Sequence, residues 1–142
     1  MLEAAFRDGF TYDSVQMPLN VMDAHFDSFE RIVLPILVRH EIGVLGMKPM
    51  GDQFILESRT VTAIECLHYA MSLPTSVVIT GIDSMPILEQ ALQAARDFVP
   101  LTPEQRKALL AKTAPAARDG MYERYKTTDR HDSTEQHPEW LG

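Results

Sequence analysis

The stretch Gly43-Val-Leu-Gly-Met-Lys-Pro-Met-Gly51, GVLGMKPMG, decides how the rest of the chain is read. Small and apolar residues from Gly43 to Met47 make a buried strand, and a lysine, a proline and a glycine follow at once. A cation stationed where a hydrophobic strand surfaces is there either for water or for an anion. Upstream of the strand, Asp27 and Ser28 offer a helix cap, and Phe29, Ile32, Val33, Ile36, Leu37 and His40 recur along one helical face. Pro35 lies inside that run and removes a backbone donor, so it is expected to kink or split the helix. Nearer the N-terminus, Leu2, Ala5 and Phe6 sit at helical spacing before Gly9, and residues 14–17 read as a short strand closed by Pro18.

Downstream, residues 50–59 read as a polar-flanked loop. Thr60 or Thr62 then starts a helix with Ile64, Leu67, His68 and Met71 on its stripe, stopped before Pro74. Residues 76–79 are a β-branched strand that Thr80 and Gly81 end. Ser84 is placed to cap the next helix, with Pro86 in its first turn and Leu88, Leu92 and Ala95 facing inward. Thr102, with Gln105 three residues on, opens another. After Pro115 the chain turns polar, and Tyr122, Tyr125 and Trp140 are the groups that would tether it to the body; otherwise it is disordered. Strands near 14, 43 and 76, separated by helices, are the rhythm of successive βα units and call for a parallel α/β sheet. Three such strands alone leave two open edges and a face that helices do not cover.

Composition bounds the rest. The chain has 142 residues and 45% hydrophobic composition, enough for one core, with 13 basic against 20 acidic residues and a formal charge of −7. No basic cluster offsets that balance, so nucleic acid is not an expected partner. One cysteine, Cys66, excludes an internal disulfide. No apolar run is long enough to cross a bilayer, and MLEAAFRDGF lacks the basic and apolar regions of a signal peptide. A soluble, cytoplasmic protein is the expectation.

Three segments taken together resemble the aldo/keto reductase family. VQMPLNVMD (15–23), GVLGMKPMG (43–51) and SVVITGIDSMPILEQAL (76–92) are similar to that family's sixth, seventh and eighth barrel strands with their following loops. LTPEQRKALL (101–110) and TAPAARDGMYERYKTT (113–128) are similar to the end of a bacterial-type member. The resemblance implies that residues 1–112 form the C-terminal portion of a TIM (β/α)8 barrel, incomplete alone, with 113–142 an extension packing on it or trailing from it. Whole barrels of this kind take about 250 residues. It further implies descent from an NAD(P)-dependent oxidoreductase that reduces aldehydes or ketones, as a truncated product or a domain fragment. The family's catalytic tetrad belongs to earlier strands. No catalytic residue is therefore assigned, and Tyr12, Tyr69, His25, His68 and Asp13 do not replace it.

The cofactor side is better represented. Barrel enzymes commonly bind phosphate with the loops after strands seven and eight and a helix N-terminus. By the resemblance Gln16 hydrogen-bonds the nicotinamide amide, Met47 stands where relatives place an aromatic beneath the ring, and Pro49 fixes the turn. Lys48 supplies a point charge to a phosphate. Gly81 lets the backbone turn closely, and Ser84 and its helix offer donors. Relatives that prefer the phosphorylated cofactor carry a basic residue just after strand eight, where Gly81-Ile82-Asp83 has none. Asp83 would instead accept from a ribose hydroxyl, which leaves both NADP and NAD open. Gln90 is positioned to reach adenine in place of an asparagine lost at Ala91.

Plainer readings stand beside these. A lysine at a strand end is commonly a solvated charge. Glu65, Cys66 and His68 cannot all face one metal from a single helix turn; Cys66 reads as a small buried hydrophobe and His68 as a packed imidazole with one hydrogen bond. His131 and His137 read as solvated. Met17, Met22, Met47 and Met50 either flank a pocket or fill gaps in the core. Two further hypotheses remain in play: a homo-oligomer or a separately encoded N-terminal half that closes the barrel, and a non-catalytic module that binds a nucleotide or a protein.

Overall fold

Side chains alternate across a strand, and here the alternation separates a packed face from an open one. In the computed structural model, which describes residues 2–129 and 137–141, three strands lie side by side and all point the same way. They are β1 (Ser14–Pro18), β2 (Gly43–Met47) and β3 (Val77–Val78), in the order β1-β2-β3. The register sets Val15 opposite Val44 and Met17 opposite Gly46, with Val78 opposite Gly46 on the far side. Pairing continues past the strand ends through Leu19 N–H to Met47 O at 3.0 Å and Ile79 N–H to Gly46 O at 2.8 Å. Met17 and Val44 belong to the buried core, together with Leu34, Leu37, Ile42, Ile55, Cys66 and Tyr69. Gln16, Leu45, Met47, Val77 and Ile79 alternate onto the other face and are half-buried or exposed; Val77 is 49% exposed and Ile79 39%. Parallel sheets are ordinarily covered on both faces. This one is covered on one.

The helices follow the expected order with instructive differences. α1 (Leu2–Arg7) ends at Gly9. The run after Ser28 is split as Pro35 requires, into α2 (Phe29–Ile32) and α3 (Leu34–Arg39), with Pro35 in the first turn of α3. The break corrects the single inward face expected there. It turns Leu34 and Leu37 into the core and leaves Ile32 65% exposed. Residues 50–59 are not all loop: α4 (Phe54–Glu57) lies within them, and Ile55 is fully buried. Thr62 starts α5 (Ala63–Met71) with a complete capping box against Glu65. Its core face is Cys66, Leu67, Tyr69 and Ala70, shifted from the predicted stripe because Tyr69 reaches inward to Glu30 (2.6 Å).

β3 is shorter than the expected 76–79. The chain then enters α6 (Met85–Arg96), where Ala94 rather than Leu92 or Ala95 is the buried contact. Thr102 and Gln105 form the expected box at the start of α7 (Pro103–Ala117). α7 runs on through Pro115, so the expected division at 112/113 falls inside one helix. A short α8 (Arg124–Thr127) follows, and 3-10 turns occupy Asp23–His25 and Pro138–Leu141. Among the described residues no helix is long and apolar enough to cross a membrane. The expectations for His131 and for the side chain of Trp140 lie outside the described residues.

Candidate functional site

Parallel strands deliver the residues after their C-terminal ends to one rim, and the open face of the sheet gives that rim depth. A cleft of about 610 Å³ lies there. Gln16 lines it from β1, Met47 from the end of β2, and Lys48 and Pro49 from the turn beyond. Gly81, Asp83 and Gln90 line it from the segment between β3 and α6 and from α6 itself. The Gln16 amide nitrogen donates to the Met47 sulfur at 3.1 Å, so these two side chains already touch. Ser84 is exposed and does not line the cleft. It occupies the N-cap position of α6, yet the capping hydrogen bond expected of it is not made. Gly81 does not have a positive φ, and a Cβ at that position would meet nothing within 4 Å. The close turn expected there therefore does not require a glycine.

Lys48 emerges with φ 53, a left-handed value uncommon for a side-chain-bearing residue. Gly51, Asp52 and Gln53 follow at φ 54, 57 and 74, so the turn after β2 curls back on itself. That curl brings the Asp52 carboxylate onto the Lys48 ammonium as an ion pair. The Lys48 carbonyl accepts from Asn20 Nδ2 at 3.3 Å, and its ammonium stands 5.5 Å from the centroid of the Tyr125 ring. A side chain at Gly51 would be strained in this turn: a Cβ there would meet Ile55 Cγ1 at 2.9 Å and the Tyr122 carbonyl at 3.0 Å.

Tyr122 and Tyr125 belong to a C-terminal segment that is tied to the loop after β1 by buried polar groups. Lys126 Nζ pairs with Asp23 Oδ1 at 2.6 Å, donates to the Phe26 carbonyl at 2.7 Å and reaches Glu123 at 3.2 Å. Asp23 in turn accepts from the Phe29 and Glu30 amides at 3.1 and 2.9 Å, capping α2. Asn20 donates to Glu123 Oε1 at 3.2 Å and to the Tyr125 hydroxyl at 2.9 Å, while its own oxygen accepts from the Met22 and Asp23 amides. Burial pushes the Glu123 carboxyl up from its ordinary range, against the Tyr125 hydroxyl and Lys126, which draw it down. The Tyr125 hydroxyl is pushed up by burial and then by Glu123 beside it. Arg124 adds a stacking contact, its guanidinium carbon 3.7 Å from the centroid of Phe54. Tyr122 and Tyr125 therefore do tether the C-terminal segment to the body.

Sequence reasoning passed over several cleft residues. Thr80 lines the cleft, and its buried Oγ1 has no hydrogen-bond partner among the described residues. Ile79, Ile82 and Ile87 supply apolar wall, and Asp52 supplies the counter-ion. Asp52 had a signal, a carboxylate four residues after Lys48. That spacing joins side chains on a helix, and here a left-handed turn does the same work. Of the methionines, Met17 and Met22 are core, whereas Met47 and Met50 line the cleft. Cys66 is fully buried and its thiol is pushed up to about 12 by burial, then by Glu65. His68 Nε2 makes its one hydrogen bond to the Ala94 carbonyl at 3.0 Å and packs edge-on against Phe98. Among the described residues no three His, Cys, Asp or Glu side chains gather as a metal site.

No known family model and no curated protein matches the chain. Fold and cleft together define an α/β protein of parallel βα units, with a mixed polar and apolar cleft at the C-terminal ends of its strands.

Proposed function

We propose that the chain is the C-terminal portion of an NAD(P)-dependent aldo/keto reductase, supplying the last three strands of the barrel and part of its cofactor site. The observation that carries the reading is convergence. Residues singled out on three separate segments, Gln16, Met47, Lys48, Pro49, Gly81, Asp83 and Gln90, line one cleft beside an uncovered sheet face. The donor set suits a dinucleotide. Gln16 carries an amide that can both donate and accept, Met47 and the isoleucines give apolar wall, and Lys48 offers a cation. Thr80 contributes a hydroxyl without a partner among the described residues. A bound nicotinamide cofactor would supply hydride to an aldehyde or ketone. Gln16 would orient the nicotinamide amide, Lys48 would hold a phosphate, and Asp83 would accept from a ribose hydroxyl.

Proton delivery needs an acid within hydrogen-bond reach of the carbonyl oxygen, and no residue of this chain is assigned that task. Catalysis would then depend on a partner, either an N-terminal half-barrel or another copy, laid against Leu45, Val77 and Ile79. The competing reading is a nucleotide-binding or interaction module without turnover. Calorimetric titration of the purified chain with NADPH, NADH and ADP-ribose tests the cleft. Binding is expected, weakened about tenfold in Lys48→Ala, the size of one charge-assisted contact. Carbonyl-dependent oxidation of NADPH by the chain alone would show that it already holds an acid. Absence of binding by any of the three ligands would remove the cofactor reading altogether.

A further inference from the structure

Lys48 is the one cation among the described residues lining the cleft, and it is already engaged. Its ammonium is paired with Asp52, and the two side chains are 18% and 44% exposed. The pair forms across a turn that is left-handed at both residues and at Gly51 between them. Non-glycine residues in that region cost about 1–2 kcal/mol each, so the contact is held by its surroundings rather than by local preference. Those surroundings fix the lysine end more firmly than the aspartate end. Asn20 holds the Lys48 carbonyl, and the Tyr125 ring flanks the ammonium. Tyr125 is itself pinned through its hydroxyl to Asn20 and Glu123.

We propose that Asp52 is an internal competitor for Lys48, a built-in counter-ion that an entering phosphate must displace. Two consequences follow from the charges alone. The carboxylate lowers affinity for any anionic ligand, both by occupying the cation and by repelling the newcomer. Its penalty grows with ligand charge, so Asp52 discriminates against a ligand bearing an additional phosphate. The carboxylate end of the pair is open to solvent, with Asp52 44% exposed, which makes Asp52 displaceable rather than a permanent block. The inference rests on the nucleotide reading of the cleft and deepens it by naming what sets charge preference there.

The full chain, Asp52→Asn, Lys48→Met and the double variant are titrated with adenosine, ADP-ribose and ADP-ribose 2′-phosphate. Melting curves establish that each variant is folded, and Asp52→Ser replaces Asp52→Asn should the latter not be. Asp52→Asn is expected to tighten ADP-ribose about threefold and the 2′-phosphate more, and to leave adenosine unchanged. The gain is expected to shrink at high salt and to vanish in the double variant. Unchanged or weaker binding of both charged probes by Asp52→Asn, with Lys48→Met still impaired, would overturn the competitor role while leaving the nucleotide site intact. Binding indifferent to Lys48→Met would overturn it as well. No binding of any probe by any form would remove the nucleotide reading and this inference with it.

Discussion

His25 shows what one residue's surroundings do to its proton. The imidazole Nε2 lies 3.1 Å from the Thr113 hydroxyl, itself fully buried in α7. Burial lowers its affinity for a proton below the ordinary 6.5, and Arg31 nearby lowers it further. The folded state then binds that proton less readily than the unfolded chain does. Its contribution to stability is complete above the ordinary value and is lost as pH falls from about 6.5 toward the depressed native value. His25→Gln retains a donor toward Thr113 and cannot titrate. Between about pH 7.5 and pH 5.5 the wild-type melting temperature is expected to fall more steeply than the variant's; parallel curves would mean the native imidazole is no harder to protonate. Sequence told Cys66 and His68 correctly because burial of a small thiol and of a ring on an apolar stripe is a local inference. It missed Asp52 and Thr80, whose roles arise from where a turn and a strand end happen to meet.

At the scale of elements, chain-local signals were the readable ones. Thr62 with Glu65 and Thr102 with Gln105 announced helix starts, and both boxes are formed. Pro35 announced the break between α2 and α3, although not how the break would re-aim Leu34 and Ile32. The segment after β2 was legible as a loop and illegible as a junction, because its packing partner is Tyr122, far along the chain. Gly51→Ala must set a methyl against Ile55 and the Tyr122 carbonyl while holding φ at 54. A loss of about 2 kcal/mol is expected from denaturation midpoints. Gly81→Ala, with open space around it, is expected to be nearly neutral by the same measurement. Equal behaviour of the two variants would show that the turn can relax away from Tyr122.

For the whole molecule the deciding property is a parallel sheet with helices on one side and two unpaired edges among the described residues. Exposed apolar positions such as Val77 and Ile79 beside open edges favour association. The chain, 16.0 kDa by sequence, is expected to elute from a sizing column as a larger species and to bind a hydrophobic dye. Val77→Asn with Ile79→Asn is expected to reduce both signals, and a dye-silent monomer of the unmodified chain would contradict the open face. The parallel order was legible from the spacing of strands at 14, 43 and 76. The clasp between the loop after β1 and the segment around Lys126 was not, since periodicity carries no information across a hundred residues. That clasp governs the timing of maturation. While a ribosome is still making the middle of the chain, Asn20 and Asp23 lack the partners that complete their hydrogen bonding away from water. The loop after β1 must stay hydrated until Glu123, Tyr125 and Lys126 emerge, and only then can its buried polar contacts close.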